Sequence, residues 1–518
     1  MSLVWIDRKR ALVILLAAGT LLLAGCSGAN SPAPVVSFAP TTTSPGTTSS
    51  TTGPPITAPT TTTSTTVAAA VIDIPEGAVP VTAAEDLSRI VAAAEEGTVF
   101  LLEAGIHRMQ SIVPKDGMSF LGEEGTVMNG SLVLEGFVAD GNLWRIDDVP
   151  VTGSNHGRCI DGYDGCTFSQ DLFMDNVMLW QVTDASDLEP GRWLRNGDSI
   201  LVVDDPAARV VELSMSSYAF VGSADDVSIR GLKIEKYATP AQEGAVQAQD
   251  PQEGDRGDRW LIEDIEVTGI HGVGVRTGDG TIVRNSSLHH NGQMGITASG
   301  GVDVLIEGNE IAYNNIAGFD WEWEAGGGKF TETVGLVVRD NYAHDNDGPG
   351  LWTDIDARDT HYEGNVVTDN SGPGIFHEIS FAVEIRDNTV TGNGFGKSDW
   401  LWGAGILIAA SSDVVVMGND VAGNADGIAG IQQDRGAGAF GAYLLQNLAV
   451  DGNTISMDEG HTGIVADTRD DDVFVDRDLS FANNTYVDVV GIRFAWAGQL
   501  LDEEGWRATG QGMGSVWL

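Results

Sequence analysis

A short repeat runs through the second half of the chain and limits the folds that this chain can adopt. From about residue 225 onward, lines of the form apolar, x, Gly or Asp, Asn, x, apolar recur, as in LIEGNEI at 305–311. Asn309, Asn341, Asn365 and Asn388 of four such lines are 32, 24 and 23 residues apart. A period of about 22 to 24 residues, with short alternating strands and turns rich in Asn, Asp and Gly, is typical of one coil of a parallel β-solenoid. We therefore predict an all-β fold, a parallel β-helix.

A second short strand follows each Asn line and predicts how the coils align. Each opens with Gly and an apolar residue. Because stacked strands lie about 4.8 Å apart, equivalent residues of successive coils form ladders. We predict that the residue after each Gly points into the core, and this ladder reads Ile296, Phe319, Leu351, Ile375, Ile406. The repeated Asn residues are expected in turns, where Asn tolerates a left-handed conformation and bonds the backbone.

The amino terminus has the composition of a targeting segment. Basic residues 8–10 precede an apolar run at 11–25 that is too short to span a bilayer comfortably. The string LAGC at 23–26 resembles a bacterial lipobox, which implies a lipoprotein signal peptide over 1–26 and a lipid on Cys26. Residues 27–70 are rich in Ser, Thr and Pro and are predicted to be an extended linker. We expect an extracellular protein held at the cell surface by a lipid anchor in the membrane.

The remaining chain divides into three predicted parts. Residues 71–224 are assigned to an N-terminal cap with an amphipathic helix at about 82–96, the first coils and an inserted β-rich lobe at 155–220. Residues 225–490 form the repeats, and 491–518 form a C-terminal cap. Cys159 and Cys166 are predicted to form a local disulfide, as expected in an exported protein. No metal site is predicted at these cysteines.

The charge balance excludes one class of partner. The chain has 28 Lys and Arg against 74 Asp and Glu, a formal net charge of −46. Binding nucleic acid requires clustered cations, so no nucleic-acid partner is expected. The same excess makes a polyanionic glycan an awkward substrate.

Acidic residues align at one position of the repeat. Counted from the Gly of each second strand, the fourth residue reads Ser299, Glu322, Asp354, Glu378, Ala409. Three consecutive coils thus place a carboxylate at one spot, although like charges stacked in a sheet are destabilising. Glu322, Asp354 and Glu378 are therefore the predicted catalytic residues. A bound Ca²⁺ and a solvated acidic face are the alternatives.

Aromatic and polar residues surround this position. The segments AGGGKFTETV after Glu324 and FGKSDWLWGA before Gly405 interrupt the repeat and are expected to wall a cleft. The inserted cations Lys329 and Lys397 are expected to pair with the acids or contact substrate. The inward-leaning position of His377 favours a packed histidine, although we keep it as a candidate. The predicted substrate-binding residues are Trp352, Phe376, Trp323, Trp400, Trp402, Lys329, Asp320, Asp356 and His377.

Carboxylates beside aromatic platforms suit glycoside hydrolysis, in which one acid protonates the leaving oxygen and the other attacks or activates water. We predict Glu378 as the acid, with Asp354 or Glu322 as its partner. Acids on adjacent coils favour retention of configuration, whereas Glu322 and Glu378, two coils apart, favour inversion. The sequence leaves both open. The predicted partner is a polysaccharide or oligosaccharide, with no cofactor required and Ca²⁺ left open.

The repeats, together with GLWTDID at 350–356, GIFHEIS at 374–380 and GCTFSQDLFMD at 165–175, resemble bacterial right-handed parallel β-helix proteins of the pectate-lyase-like superfamily. The resemblance covers about residues 80–518 and implies a right-handed solenoid that acts on carbohydrate. Such proteins include glycoside hydrolases, polysaccharide lyases and C5-epimerases. Their glycosidases commonly invert the configuration and use Asp or Glu from consecutive coils. In this chain, those positions correspond to Glu322, Asp354 and Glu378. Their lyases use Arg or Lys bases and often Ca²⁺, and the few cations in the central coils weaken that alternative. A glycan-binding surface protein without catalysis is the third hypothesis.

Overall fold

The computed structural model describes residues 74–397, 399–467 and 471–518. The predicted signal peptide at 1–26, its Cys26 and the linker at 27–70 lie outside the described residues. None of the helices within the described ranges has the length and apolar character needed to cross a membrane.

Three long sheets run through the described residues, and each coil of the central repeats contributes one strand to each of them. We call them sheets 1, 2 and 3, in the order in which a coil visits them. Sheet 1 contains Val79–Val81, Val99–Leu102, Ser119–Gly122, Ser228–Arg230, Leu261–Glu263, Ile282–Arg284, Leu305–Glu307, Val337–Arg339, Arg358–Glu363, Phe381–Arg386, Ser412–Met417, Gln446–Asp451 and Leu479–Ala482. Sheet 2 contains Gly105–Arg108, Thr126–Asn129, Lys233–Glu235, Glu266–Thr268, Ser287–His289, Glu310–Ala312, Tyr342–His344, Val366–Thr368, Thr389–Thr391, Asp420–Ala422, Thr454–Ser456, Thr485–Val487 and Val516–Trp517. Sheet 3 contains Phe220–Val221, Gly244–Gln247, Val273–Thr277, Met294–Ser299, Gly326–Thr331, Leu351–Asp354, Ile375–Glu378, Ala404–Ala409, Asp426–Gln432, Thr462–Ala466, Phe494–Trp496 and the antiparallel Gln499–Leu501. The predicted all-β parallel solenoid is confirmed.

Short helices lie near both ends of the solenoid and beside sheet 3. The α-helices are α1 (Leu87–Ala93), α2 (Trp321–Glu324) and α3 (Glu503–Ala508), and the 3-10 turns are Ala185–Asp187, Asp399–Leu401 and Asp471–Phe474. Helix α1 buries Leu87 and Val91 in the main core. It is shorter than the predicted helix at 82–96, because the chain turns at Ala94 toward the strand that begins at Val99.

The core ladder was predicted correctly except at one coil. Ile296, Leu351, Ile375 and Ile406 are buried and occupy equivalent positions of sheet 3. The position between Ile296 and Leu351 belongs to Gly328, so the prediction for Phe319 was wrong. Phe319 is buried outside the ladder, with its ring centroid 5.5 Å from that of His271. Gly318 and Phe319 mimic a strand start, whereas the real strand begins with three glycines.

Two ladders of buried asparagines connect the coils at the turns. In the first, each side-chain Nδ2 donates to Oδ1 of the next Asn at 2.9–3.0 Å, and the residues are Asn309, Asn341, Asn365, Asn388, Asn419, Asn453 and Asn484. The second contains Asn291, Asn314, Asn346, Asn370, Asn393 and Asn424. The left-handed conformation that we expected of the Asn belongs to the residue before it, as at Gly308 with φ of 64° and Asp340 with φ of 54°. The Asn side chains are thus free to bond from coil to coil.

An eight-stranded lobe interrupts one coil between its sheet 2 and sheet 3 strands. Its strands, in spatial order, are Ser131–Val133, Val211–Ser214, Leu172–Met174, Val177–Val182, Arg192–Asn196, Ser199–Val202, Leu143–Ile146 and Val138–Asp140. The lobe has its own apolar core, which includes Trp193 and Leu213. It begins earlier than the predicted 155–220.

Buried polar contacts fix the lobe to the solenoid. Glu212 of the lobe pairs with Arg108 at 2.7 Å and with Lys236. Asp171 Oδ1 of the lobe accepts a hydrogen bond from Nδ1 of the buried His271 at 3.0 Å. These charged groups are paired, which offsets the cost of removing them from water.

The predicted disulfide between Cys159 and Cys166 is present, with Cα atoms 5.8 Å apart. The loop that it closes lies against the segment before α2, where Ile160 N donates to Gly318 O at 3.0 Å. The lobe therefore supports a segment beside sheet 3, where the predicted site lies.

Candidate active site

A cleft of about 380 Å³ opens on the outer face of sheet 3, and we call it the acidic cleft. Its floor is formed by strands of sheet 3, and its walls by α2, by the segment before strand Ala404–Ala409 and by the loop at 433–445. It is lined by Trp321, Glu322, Trp323, Glu324, Lys329, Trp352, Asp354, Ile355, Phe376, Glu378, Lys397, Trp402, Gln433 and Arg435.

Asp354 and Glu378 lie side by side on the floor. They end the neighbouring strands Leu351–Asp354 and Ile375–Glu378, in which Thr353 pairs with His377. Their exposed fractions are 5% and 6%, so both carboxyl groups are largely removed from water. Each is followed by an isoleucine in the left-handed region, Ile355 with φ of 48° and Ile379 with φ of 36°. β-Branched residues rarely adopt this conformation, and such strain concentrates at functional sites.

Asp354 is held by a buried lysine. Lys329 Nζ donates to Asp354 Oδ2 at 2.9 Å and to Glu324 Oε1 at 3.0 Å. The same Nζ lies 3.6 Å from the ring centroid of Trp352, and Lys329 is 3% exposed. Burial lowers the pKa of Lys329, but Asp354 and Glu324 outweigh it and raise the pKa above its usual value. Lys329 is therefore a buried positive charge fixed between Asp354 and Glu324.

Glu378 is in a different electrostatic environment. Burial, and next the charge of Asp354, raise the pKa of Glu378 to about 7, against the opposing effects of Arg435 and Lys329. Arg435 Nη1 forms an ion pair with Glu378 Oε1. Glu378 is thus a carboxyl group whose pKa is raised toward neutral pH.

Glu322 does not join this pair on the floor, so its predicted place in the ladder was wrong. Thr331 occupies that position, between Ser299 and Asp354. Glu322 lies instead in α2, at the rim of the cleft, where it pairs with Lys397 Nζ. The error follows from the misplaced Phe319, because the segment that we predicted as an insert contains strand Gly326–Thr331.

Three predicted aromatic residues lie together on the cleft. Trp352 and Phe376 stack with centroids 5.3 Å apart and planes at 15°, and Trp402 meets Phe376 edge-on at 6.1 Å. Trp323 lines the wall that α2 forms. Trp400 does not line the cleft, since it lies half-exposed in the 3-10 turn with φ of 54°.

Three other predicted substrate-binding residues are used elsewhere in the structure. Asp320 caps α2 by accepting from Glu322 N at 2.9 Å and pairs with Arg158 at 2.7 Å. Asp356 accepts from Ala439 N at 2.9 Å and thereby anchors the loop at 433–445. His377 faces the core, where its Nδ1 lies 2.7 Å from Thr353 Oγ1 and burial lowers its pKa to about 3. None of these three lines the acidic cleft.

Arg435 and Gln433 were missed by the sequence analysis. They lie in a loop that carries the short hairpin of Ala437–Gly438 and Gly441–Ala442, between a sheet 3 strand and a sheet 1 strand. The stretch QQDRGAGAFGAYLL at 432–445 breaks the repeat much as the two predicted inserts do. Its length, and the arginine within it, were the available signal.

Among the described residues, no group of three or more His, Cys, Asp or Glu side chains is arranged to hold a metal ion. The acidic cleft contains carboxylates, but its buried pair is matched with Lys329 and Arg435.

Comparison with known proteins identifies the fold. A family model described as "Right handed beta helix region" matches residues 253–421. XylC, solved in complex with xylose, superposes with a TM-score of 0.62 at 15% identity, over 83% of this chain and 82% of that one. This protein is a right-handed parallel β-helix. The A-module of the Azotobacter vinelandii mannuronan C-5 epimerase AlgE6 superposes with a TM-score of 0.50 at 16% identity, over 83% and 93% of the two chains. No curated protein sequence matches this chain.

Proposed function

We propose that this β-helix is a carbohydrate-active enzyme, a glycoside hydrolase that retains the configuration at the anomeric carbon. One observation carries the proposal. Two buried carboxyl groups, Asp354 and Glu378, lie on adjacent strands, and their surroundings differ: Asp354 is ion-paired with Lys329, whereas the pKa of Glu378 is raised.

The spacing favours retention. Adjacent strands are about 4.8 Å apart, close to the separation of about 5 to 5.5 Å between the two carboxyl groups of retaining enzymes. An inverting enzyme needs a wider gap that holds a water molecule. Glu322, the residue that offered the wider spacing, lies in α2 and pairs with Lys397.

The electrostatic environments support different roles for the two carboxyl groups. Asp354, ion-paired with Lys329, attacks the anomeric carbon while the glycosidic bond breaks. Glu378, with its raised pKa, gives its proton to the departing oxygen. Glu378 then accepts a proton from the water that cleaves the glycosyl ester on Asp354, which restores both carboxyl groups.

The cleft walls supply sugar-binding surfaces. Trp352, Phe376 and Trp402 offer aromatic surface next to the carboxyl pair. Sugar rings present apolar C–H faces that pack on such surfaces. XylC shares the fold and was solved with xylose, so xylose-containing glycans are the first substrates to test.

A polysaccharide lyase or C5-epimerase is the second candidate, because the cleft contains Lys329 and Arg435 and AlgE6 is an epimerase. Both cations are paired with carboxylates, and Lys329 has a raised pKa. A lysine held in its protonated form is a poor general base. A Ca²⁺-dependent reaction and glycan binding without catalysis complete the alternatives.

For the location, we propose an extracellular lipoprotein anchored to the membrane through Cys26. The basic residues, the apolar run and the LAGC string of the first 26 residues support this. Metabolic labelling with a radioactive fatty acid should label the wild type and not Cys26→Ala. Equal labelling of both would contradict the anchor.

The experiment that tests the activity uses the detergent-solubilised full chain. It is assayed on aryl glycosides, xylan and mannuronan, with and without a chelator. We expect hydrolysis that the chelator leaves unchanged, with the first product seen by NMR keeping the anomeric configuration of the substrate. An unsaturated product absorbing in the ultraviolet, or an inverted first product, would overturn the proposal.

Azide then separates the roles of the two carboxyl groups. In Glu378→Gln, azide should replace water in the second step and give a glycosyl azide of retained configuration. In Asp354→Asn, azide should attack the substrate directly and give the inverted product. Glu384→Gln, at an exposed residue of sheet 1, is the control for the same chemical change.

A further inference from the structure

A second pocket opens on the same face of sheet 3, and we call it the upstream pocket. Its volume is about 570 Å³. In the ladder that forms its floor, Arg276 pairs with Thr297, which pairs with Lys329 of the acidic cleft. Glu324 lines both pockets. The two pockets are therefore neighbours along the solenoid, separated by coils of about 4.8 Å each.

Two charged groups in the upstream pocket have unused bonding capacity. Arg276 donates from Nη1 to Gln242 O at 2.6 Å and forms no ion pair with any described carboxylate. Glu243 Oε2 is buried and has no hydrogen-bond partner among the described residues. A buried polar atom without a partner costs free energy, so a ligand that bonds it gains affinity.

A neutral hydrogen-bond donor lies beside these groups. Burial, followed by the charge of Glu243, raises the pKa of Tyr218 to about 12, so its hydroxyl keeps its proton. The pocket thus offers a carboxylate acceptor together with guanidinium and phenol donors. Adjacent hydroxyls of an uncharged sugar both donate and accept, and match this set. A sugar carboxylate would face Glu243 and Glu324 and is disfavoured by repulsion.

We propose that the upstream pocket is a second sugar subsite, which binds an uncharged sugar ring of the same chain that is cleaved at Asp354 and Glu378. This rests on the proposed hydrolase and deepens it, since it makes the substrate a neutral oligosaccharide or polysaccharide. The lobe takes part in recognition, because His156 of the lobe lines the pocket and its Nε2 lies 3.0 Å from Gln242 Oε1.

The test compares substrates of different length on the full chain. The probes are an aryl β-xyloside, which reaches the acidic cleft alone, and xylotetraose, which is long enough to enter both pockets. In Arg276→Met and Glu243→Gln, we expect the ratio of kcat/KM for xylotetraose to that for the aryl xyloside to fall at least ten-fold. The control variants Arg339→Met and Glu307→Gln, at a half-buried ion pair of sheet 1, should keep the wild-type ratio.

A binding measurement separates failure of the subsite from failure of the hydrolase. Calorimetry with xylotetraose and with a uronate tetrasaccharide is run on wild type and Arg276→Met. Weaker xylotetraose binding in the variant supports the subsite even if no probe is cleaved, in which case the hydrolase alone is rejected. An unchanged ratio together with unchanged binding, or tighter binding of the uronate, would overturn the subsite.

Discussion

The turns that carry the asparagine ladders and the outer face of sheet 3 are two very different parts of one solenoid. At the turns, the same residue bonds to its equivalent in the next coil over seven coils, and the distances vary by only 0.1 Å. On sheet 3, neighbouring coils place Lys329, Trp352 and Phe376 at one equivalent position. The first region repeats because it determines stacking, whereas the second varies because each coil contributes a different group to the cleft.

The largest effect on activity is expected at Glu378, on the varied face of sheet 3. Glu378→Gln should lower kcat on substrates with poor leaving groups by about 10³-fold, since it removes the general acid. The thermal midpoint should change little, because glutamine keeps the shape and can still accept from Arg435. Steady-state kinetics and calorimetry on the same sample check both. A large loss of stability would mean that the floor of the cleft also determines stacking.

At the first asparagine ladder we expect the reverse, a large loss of stability with little loss of activity. Asn365→Ala removes the bonds to Val338 O and Asn388 Oδ1, and it leaves the backbone N and Nδ2 of Asn341 without their acceptor. The unfolding free energy should fall by about 4 kcal/mol, at roughly 1 kcal/mol for each of the four buried bonds lost. Denaturant titration measures it, with Asn142→Ala in an exposed turn as control. Activity per folded molecule should stay within two-fold, and a much larger loss of activity would break the contrast.

A smaller effect is expected in the pH profile. The acid must be protonated to act, so activity should fall as pH rises through the raised pKa of Glu378. Arg435→Met removes a charge that lowers this pKa, so the basic limb should move to higher pH. The pH dependence of kcat/KM for both proteins measures the shift. A limb that moves to lower pH would contradict the assignment of Glu378 as the acid.

The smallest effect is expected at Asp356, where the loop at 433–445 is bonded to the solenoid. Asp356→Ala removes the acceptor for Ala439 N and frees the loop that presents Arg435. We expect kcat/KM to fall about three-fold, as a misplaced positioning group costs less than a lost acid. The basic limb should also move in the same direction as in Arg435→Met. Wild-type kinetics in this variant would show that the loop holds its position without Asp356.

The fold could be predicted because its determinants repeat. The Asn lines predict the turns, and four of five predicted inward residues occupy the core ladder. The exception, Phe319, lies where a non-repeating segment begins with the same Gly and apolar pair. Glycines at 326–328 carry no apolar side chain, so periodicity cannot reveal that they form the strand.

The alignment of Asp354 with Glu378 could also be predicted, since both follow intact repeats. The ion pairs around them could not. Lys329 reaches Asp354 only because its strand is shifted relative to the predicted one, and Arg435 reaches Glu378 from a loop 57 residues later in the chain. Contacts made by non-repeating segments depend on the three-dimensional path of the chain, and sequence periodicity does not predict that path.

The second asparagine ladder also has a consequence for how such proteins can diversify. Asn314 and Asn393 hold the chain immediately before the segments that wall the cleft, and Asn129 and Lys236 hold it at the base of the lobe. These two walls are thus attached to coils whose register is already secured by the ladder. Walls can be lengthened, shortened or exchanged during evolution or in the laboratory, while the carboxyl pair on the strands beneath them stays in place.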